Sequence, residues 1–328
     1  MNVIFMKLFE MSITAIWVIM AVLIIRVILK NMPKYFRCIL WGMVGIRLIL
    51  PFSFESKVSL VPESEMVKPV IDNNAVVGNV DSLDKVLNIV SIVTIIWIVG
   101  IVLMLMYFII SYILLQRRVK ESICYKENVW QCDYIDTPFI LGIINPRIYI
   151  PSAINTEELE HVLAHEKAHL KRHDHLWKPV AFMLLTIYWF NPLIWVSYTL
   201  LCKDIELACD EKVVKCMGTY DKKMYCETLL NYSLSRKMIS ICPLAFGEGG
   251  VKQRVMLVLN YKKPSFWIMI VSIIACVTVG ICFMTNPVND DTQMKNREPV
   301  QETINETNQT ISEQEFEEIR SEIEMIQM

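Results

Sequence analysis

Four stretches of this chain are each long and apolar enough to cross about 30 Å of hydrocarbon as helices, and this constrains the fold more than any other feature. They are residues 8–29, 36–54, 88–115 and 265–284. The first carries Glu10 near its start and Arg26 near its end, the second carries Arg37 at its start and Arg47 within it, and the third carries no charge. The first is too long for a signal peptide and has no small-residue cleavage site, so it reads as a retained anchor. Arg47 has two readings, a snorkelling or bundle-facing charge and a functional one. A composition that is 54% hydrophobic agrees with a membrane protein.

The basic residues orient the spans. Arg26, Lys30, Lys34 and Arg37 lie at the facing ends of spans one and two and in the loop between them, Arg117, Arg118 and Lys120 follow span three, and Lys252, Arg254, Lys262 and Lys263 precede span four. The loop 55–87 and the tail 285–328 are acidic on balance. Both termini are therefore expected outside, with residues 116–264 in the cytoplasm. None of the ten cysteines lies in 55–87 or 285–328, and no CxxC pair occurs. The pattern suits reduced thiols in a reducing compartment and argues against a cysteine metal site.

Residues 156–175 carry the chemistry. Asn155 or Thr156 can cap a helix, and Glu157 and Glu158 suit its first turn. Within it, His165 and His169 stand four residues apart, on one helix face, and can reach one metal ion. Glu166 beside them can take a proton from metal-bound water and pass it to a leaving amine. His161 and His173 extend the stripe but are expected to be bystanders or orienting groups.

Zinc needs a third protein ligand and one open position. Glu206, in the run 204–211, is the expected third ligand. Asp210, four residues on, is expected to orient a ligand histidine through its other ring nitrogen, and Asp174 is a second candidate for that role. Cys209 sits about 300° round the helix from Glu206 and is read as packing.

A fifth apolar stretch, 176–201, is broken by Pro179 and by Asn191-Pro192. A straight crossing there would separate His165 from Glu206 by about 30 Å. The stretch is therefore expected to dip into the bilayer and return. Upstream, short strands are predicted at 123–125, 129–134, 139–144 and 147–150, a small sheet whose edge could hold an extended peptide. The charges around 156–175 place that helix in water, outside the bilayer. The expected fold is an α-helical integral membrane protein with four transmembrane helices and a cytoplasmic α+β zinc peptidase domain.

In its motifs the chain resembles the membrane metallopeptidases of the β-lactam sensor-transducers, the BlaR/MecR antirepressors. The matching pieces are TPFILGIINPRIYIP (137–151), LEHVLAHEKAHLKRHD (159–174), FNPLIW (190–195), DIELACDEKVV (204–214) and LAFGEGGVKQRV (244–255). The resemblance covers roughly residues 1–285. It implies a gluzincin-type endopeptidase with His165, His169 and Glu206 as zinc ligands and Glu166 as catalytic base. It further implies a cytoplasmic repressor of the small winged-helix type as substrate, and self-cleavage within the cytoplasmic domain. The family's large extracellular penicillin-binding domain has no counterpart in residues 285–328. The S-x-x-K match Ser82–Lys85 stands without a K-T-G partner and reads as chance.

In the tail, Ser312 and Glu315 form a candidate capping box, but a mostly disordered tail is expected. The expected partners are a repressor and the lipid bilayer, with no direct binding of nucleic acid. The sequence leaves the oligomeric state open, a homodimer among the options. It also leaves open a broad quality-control protease, or a non-catalytic scaffold. The intact Glu166 argues against the last.

Overall fold

A computed structural model of the chain describes residues 2–50, 54–55, 80–234, 247–283 and 285–286. The tail features at Ser312–Glu315, the S-x-x-K match at Ser82–Lys85 as a side-chain constellation, and most of the 55–87 loop lie outside the described residues.

The first elements are α1 (Asn2–Ile28), α2 (Lys34–Ile49), β1 (Phe54–Glu55) and α3 (Val80–Arg118). There follow β2 (Ile123–Lys126), β3 (Val129–Cys132), β4 (Phe139–Leu141), β5 (Arg147–Pro151) and α4 (Thr156–Lys171). The chain continues through α5 (Asp174–Ile187), α6 (Pro192–Val214), α7 (Thr219–Leu234), α8 (Gly247–Leu259), α9 (Phe266–Phe283) and β6 (Thr285–Asn286). Among the described residues, two helices are long and apolar enough to cross a membrane, Asn2–Ile28 and the Asn88–Arg118 part of α3. The apolar part of α9 is shorter. Ile89, Ile95, Val99, Leu103 and Ile109 of α3 are all more than half exposed. An apolar surface that long is unfavourable in water and suits lipid. The chain is a membrane protein.

Helix boundaries differ from expectation at three places, the first being α1, which starts at Asn2, six residues before the span expected at 8–29. The third helix starts at Val80, eight residues inside the segment expected to be loop. The helix at the second span ends at Ile49, and a parallel two-residue ladder then pairs Phe54–Glu55 with Thr285–Asn286.

Helices α5 and α6 form a hairpin packed among α1, α2, α3 and α9. Pro179 does not break α5; it lies in the second turn, where it removes one ladder hydrogen bond and the helix continues. The turn is at Asn191-Pro192, as read from the sequence. Asn191 caps α6 by accepting a hydrogen bond from the Leu193 N–H at 2.9 Å, with Pro192 at the first helical position. Its Nδ2 donates to Ser12 Oγ of α1 at 2.7 Å. Trp97 Nε1 donates to the Ile187 carbonyl and Trp189 Nε1 to the Trp97 carbonyl, which fastens the hairpin tip to α3.

Gly100 makes that docking possible. A Cβ at this position would lie 2.2 Å from the Trp189 ring. Gly100→Ala is expected to destabilise the protein by about 1–3 kcal/mol, read as a lower midpoint of thermal unfolding in detergent.

The four-stranded sheet has the order β2-β3-β5-β4, with β3 and β5 parallel and the other pairs antiparallel. Side chains alternate across β5. Ile148 and Ile150 pack with Val129 and with Val162 of α4, while Tyr149 packs on the other face with Leu115 and Val119 from the end of α3. The sheet thus links the long apolar helix to α4. The turn between β4 and β5 needs Gly142 (φ +113), because a Cβ there would lie 2.5 Å from the Asn145 carbonyl oxygen.

Candidate metal centre

The sequence of α4 sets which residues face inward. Val162, His165, Glu166, Ala168 and His169 are buried, a spacing of three and four that defines one helix face. Asn155 is the N-cap residue, yet its side chain makes no capping bond; Glu157 and Glu158 supply the favourable charge in the first turn. His173 takes a left-handed conformation (φ 58, ψ 30), which closes α4 and turns the chain back into α5. Its role is in the backbone. Asp174 thereby returns to His169.

The ring nitrogens of α4 meet α6. The Nε2 atoms of His165 and His169 are 3.1 Å apart. Glu206 places Oε2 3.5 Å from His165 Nε2 and Oε1 3.6 Å from His169 Nε2. One ligand atom from each of the three residues lies within 4.8 Å of the others. Two imidazole nitrogens on one tetrahedral ion, each at about 2.0–2.1 Å, stand about 3.3 Å apart, so this donor set fits a metal ion.

Each histidine is held from behind. His169 Nδ1 lies 2.9 Å from Asp174 Oδ2, and His165 Nδ1 lies 3.2 Å from Asp210 Oδ1. A carboxylate at Nδ1 fixes the neutral-ring tautomer in which Nε2 is free to bind. The structure therefore brings together His165, His169, Glu206, Asp174 and Asp210. Glu166 is buried on the same face and lines the same cavity, about 240 Å³ in volume. His161 also lines it, with its ring against Tyr225.

Four further residues complete the centre. Tyr225 of α7 contacts His165 Nδ1 at 2.9 Å and donates to Asp210 Oδ1 at 2.7 Å. Arg254 of α8 donates from Nε and Nη2 to Asp210 at 2.7 and 2.9 Å, and its Nη1 lies 3.3 Å from Glu206 Oε2. Lys178 of α5 donates to Glu206 Oε1 at 2.9 Å. The fourth is Cys209, whose reading as packing needs correction. Its Sγ is 3.2 Å from His169 Nδ1 and 3.3 Å from Asp174 Oδ2. A rotation of 300° is 60° the other way, so residues three apart on a helix are neighbours. His169, Asp174 and Cys209 form a second, fully buried group of ligand types sharing His169.

The electrostatics follow from this packing. Burial disfavours charge on Glu206, but Lys178 and His169 outweigh it and hold the carboxyl well below its usual range. Burial likewise opposes Asp210 ionisation, and Arg254 overcomes it, so Asp210 also stays ionised. Burial lowers the pKa of His165, but its bonds to Asp210 and Glu206 push it up to about 9. Burial and Asp174 raise the Cys209 thiol, which keeps it protonated.

A model of the BlaR1 peptidase M56 family matches residues 6–258, more than three-quarters of the chain. The chain belongs to the BlaR1 peptidase M56 family. This is a family of metallopeptidases, and α4 and α6 lie within the matched region. Among relatives, the methicillin resistance mecR1 protein of Staphylococcus aureus is 28% identical over 153 residues, 43% of this chain and 26% of that protein. The regulatory protein BlaR1 of Bacillus licheniformis is 30% identical over 158 residues, 44% of this chain and 26% of that protein. The matched stretch thus spans about a quarter of the length of these relatives.

Proposed function

We propose that the chain is a zinc endopeptidase of the gluzincin type, with four transmembrane helices, both termini outside, and its peptidase domain (116–264) in the cytoplasm. The observation that carries this reading is the convergence of His165 Nε2, His169 Nε2 and the Glu206 carboxylate, with a separate carboxylate behind each histidine. Zinc held by these three residues would supply a Lewis acid and a bound water acidic enough to ionise near neutral pH.

Glu166 accepts the proton of the attacking water and delivers it to the departing amide nitrogen. Asp210 and Asp174 keep the two imidazoles in the binding tautomer. The peptide lies along β4, which pairs with β5 on one edge and with no strand on the other among the described residues. Thr137, Pro138 and Phe139 bring this edge to the cavity that holds Glu166. Backbone pairing to an edge strand holds a substrate extended with little regard to sequence.

The α5–α6 hairpin is read as the membrane-dipping segment 176–201. Its tip bonds to Ser12 and Trp97, inside the two helices long enough to span. Its base carries Asp174, Lys178 and Glu206. The substrate is read as a cytoplasmic transcriptional repressor, with self-cleavage as a second reaction of the same site. Two relatives are named as a methicillin resistance protein and a regulatory protein, which fits signalling in antibiotic resistance.

The test is co-expression with a repressor encoded nearby, followed by immunoblot of both proteins. Repressor fragments present with the wild type and absent with Glu166→Ala support the reading. Identical bands in both, under every inducing condition tried, would favour a scaffold.

Metal binding should depend on pH. His165 holds its proton up to about pH 9, and a metal can bind only the neutral ring. Affinity is expected to rise about tenfold per pH unit up to that point and to level above it. In the metal-free protein the sign reverses. A value raised from the usual 6.5 stabilises the fold below pH 6.5, and that contribution is lost as pH rises through 9. Chelator competition and thermal unfolding, each run from pH 6 to 10, check the two trends.

A further inference from the structure

Asp204 is fully buried, although it points away from the metal centre. It stands two residues before Glu206 on α6, about 200° round the helix. Each of its oxygens has a partner from the α1–α2 unit. Arg26 Nη2 donates to Oδ1 at 2.9 Å, with Arg37 Nη1 at 3.8 Å, and Trp41 Nε1 donates to Oδ2 at 3.0 Å.

Two more contacts repeat the pattern. The Lys34 N–H at the start of α2 donates to Glu211 Oε2 at 2.7 Å, and Glu211 adjoins Asp210, which holds His165. Arg172 Nη2 lies 3.3 Å from Cys38 Sγ, while its Nε reaches Asp174, which holds His169. Lys34, Cys38 and Trp41 fall at i, i+4 and i+7, one face of α2. That face therefore touches the chain within two residues of Glu206, Asp210 and Asp174. A buried ion pair adds little stability over well-packed apolar residues, and its best-attested use is to set the register of one helix on another. Register is what a helix carrying a metal ligand requires.

We infer that the α1–α2 unit sets the position of Glu206 through Asp204, with Arg26 and Trp41 as positioning residues; this rests on the proposed metal site. The axial and rotational setting of α6 is fixed from one side by Asp204, so that Glu206 meets His165 and His169 on the other. A shift of α1 against α6 would move the metal ligand directly.

The test uses the full chain in detergent or nanodiscs, with zinc affinity measured by chelator competition and the cobalt(II)-substituted protein followed by its visible absorption. Trp41→Phe keeps an aromatic ring at this buried position, at the cost of the smaller ring of the indole, and removes the hydrogen bond to Asp204. Arg26→Gln removes the charge, and Arg26→Lys returns it. Trp41→Phe and Arg26→Gln are each expected to weaken zinc binding about tenfold or more and to change the cobalt spectrum, with Arg26→Lys restoring both in part. Glu206→Gln is the control for the site itself. Wild-type affinity and spectra in both variants, while Glu206→Gln binds weakly, would overturn the inference and leave the metal site standing. Unchanged affinity in Glu206→Gln would overturn the metal site, and the inference with it. If Arg26→Gln does not fold, Trp41→Phe decides.

Discussion

Glu166→Gln is expected to lower the rate of peptide cleavage by about 10²–10⁴-fold and to leave the bound metal in place. Glu166 lines the cavity beside His165 and His169 but stands outside the group of three ligand residues. The amide preserves volume and cannot accept the water's proton. Single-turnover cleavage of a repressor or a model peptide gives the rate, and metal analysis of the same sample shows whether the ion remains. Loss of metal in this variant would mean that Glu166 acts as a ligand. A rate close to wild type would remove it from the reaction.

The second large effect is expected at Glu206. Glu206→Ala removes a ligand and also strips Lys178 of its hydrogen-bonded partner. Metal affinity should fall by more than the roughly 10–100-fold typical when an orienting partner of a ligand is lost. Asp174→Asn supplies the comparison, because it weakens the group behind His169 and leaves all three ligands present. Chelator competition on the two variants should therefore rank Glu206→Ala well below Asp174→Asn, and Asp174→Asn below wild type. Equal affinities for the two would make Glu206 no more than another orienting group.

Much of the centre was legible because its parts repeat at helical spacing. His165 and His169 are four apart, Glu206 and Asp210 are four apart, and Asp174 lies one short turn beyond His169. The edge strand was legible from β-branched and aromatic residues bounded by Thr137-Pro138 and Asn145-Pro146. Tyr225, Arg254 and Lys178 were not, since each arrives from a different helix and no local pattern marks it. In the sequence Arg254 is one of the basic residues ahead of α9 and part of the piece 244–255, with no pattern that ties it to the metal site. In the structure it is committed to Asp210 and Glu206. Cys209 could have been found by taking the helical angle the short way round. Pro179 misled because a proline inside a helix can remove one ladder hydrogen bond without ending the helix.

X-ray absorption at the zinc edge tests the central claim most directly. Two groups of ligand types share His169, one completed by His165 and Glu206 and the other by Asp174 and Cys209. Their chemistry differs in one scatterer. A centre formed by His165, His169 and Glu206 should show only nitrogen and oxygen neighbours at about 2.0–2.2 Å, with the multiple scattering of two imidazoles. A sulfur neighbour at about 2.3 Å would place the metal on Cys209 and contradict the site described here.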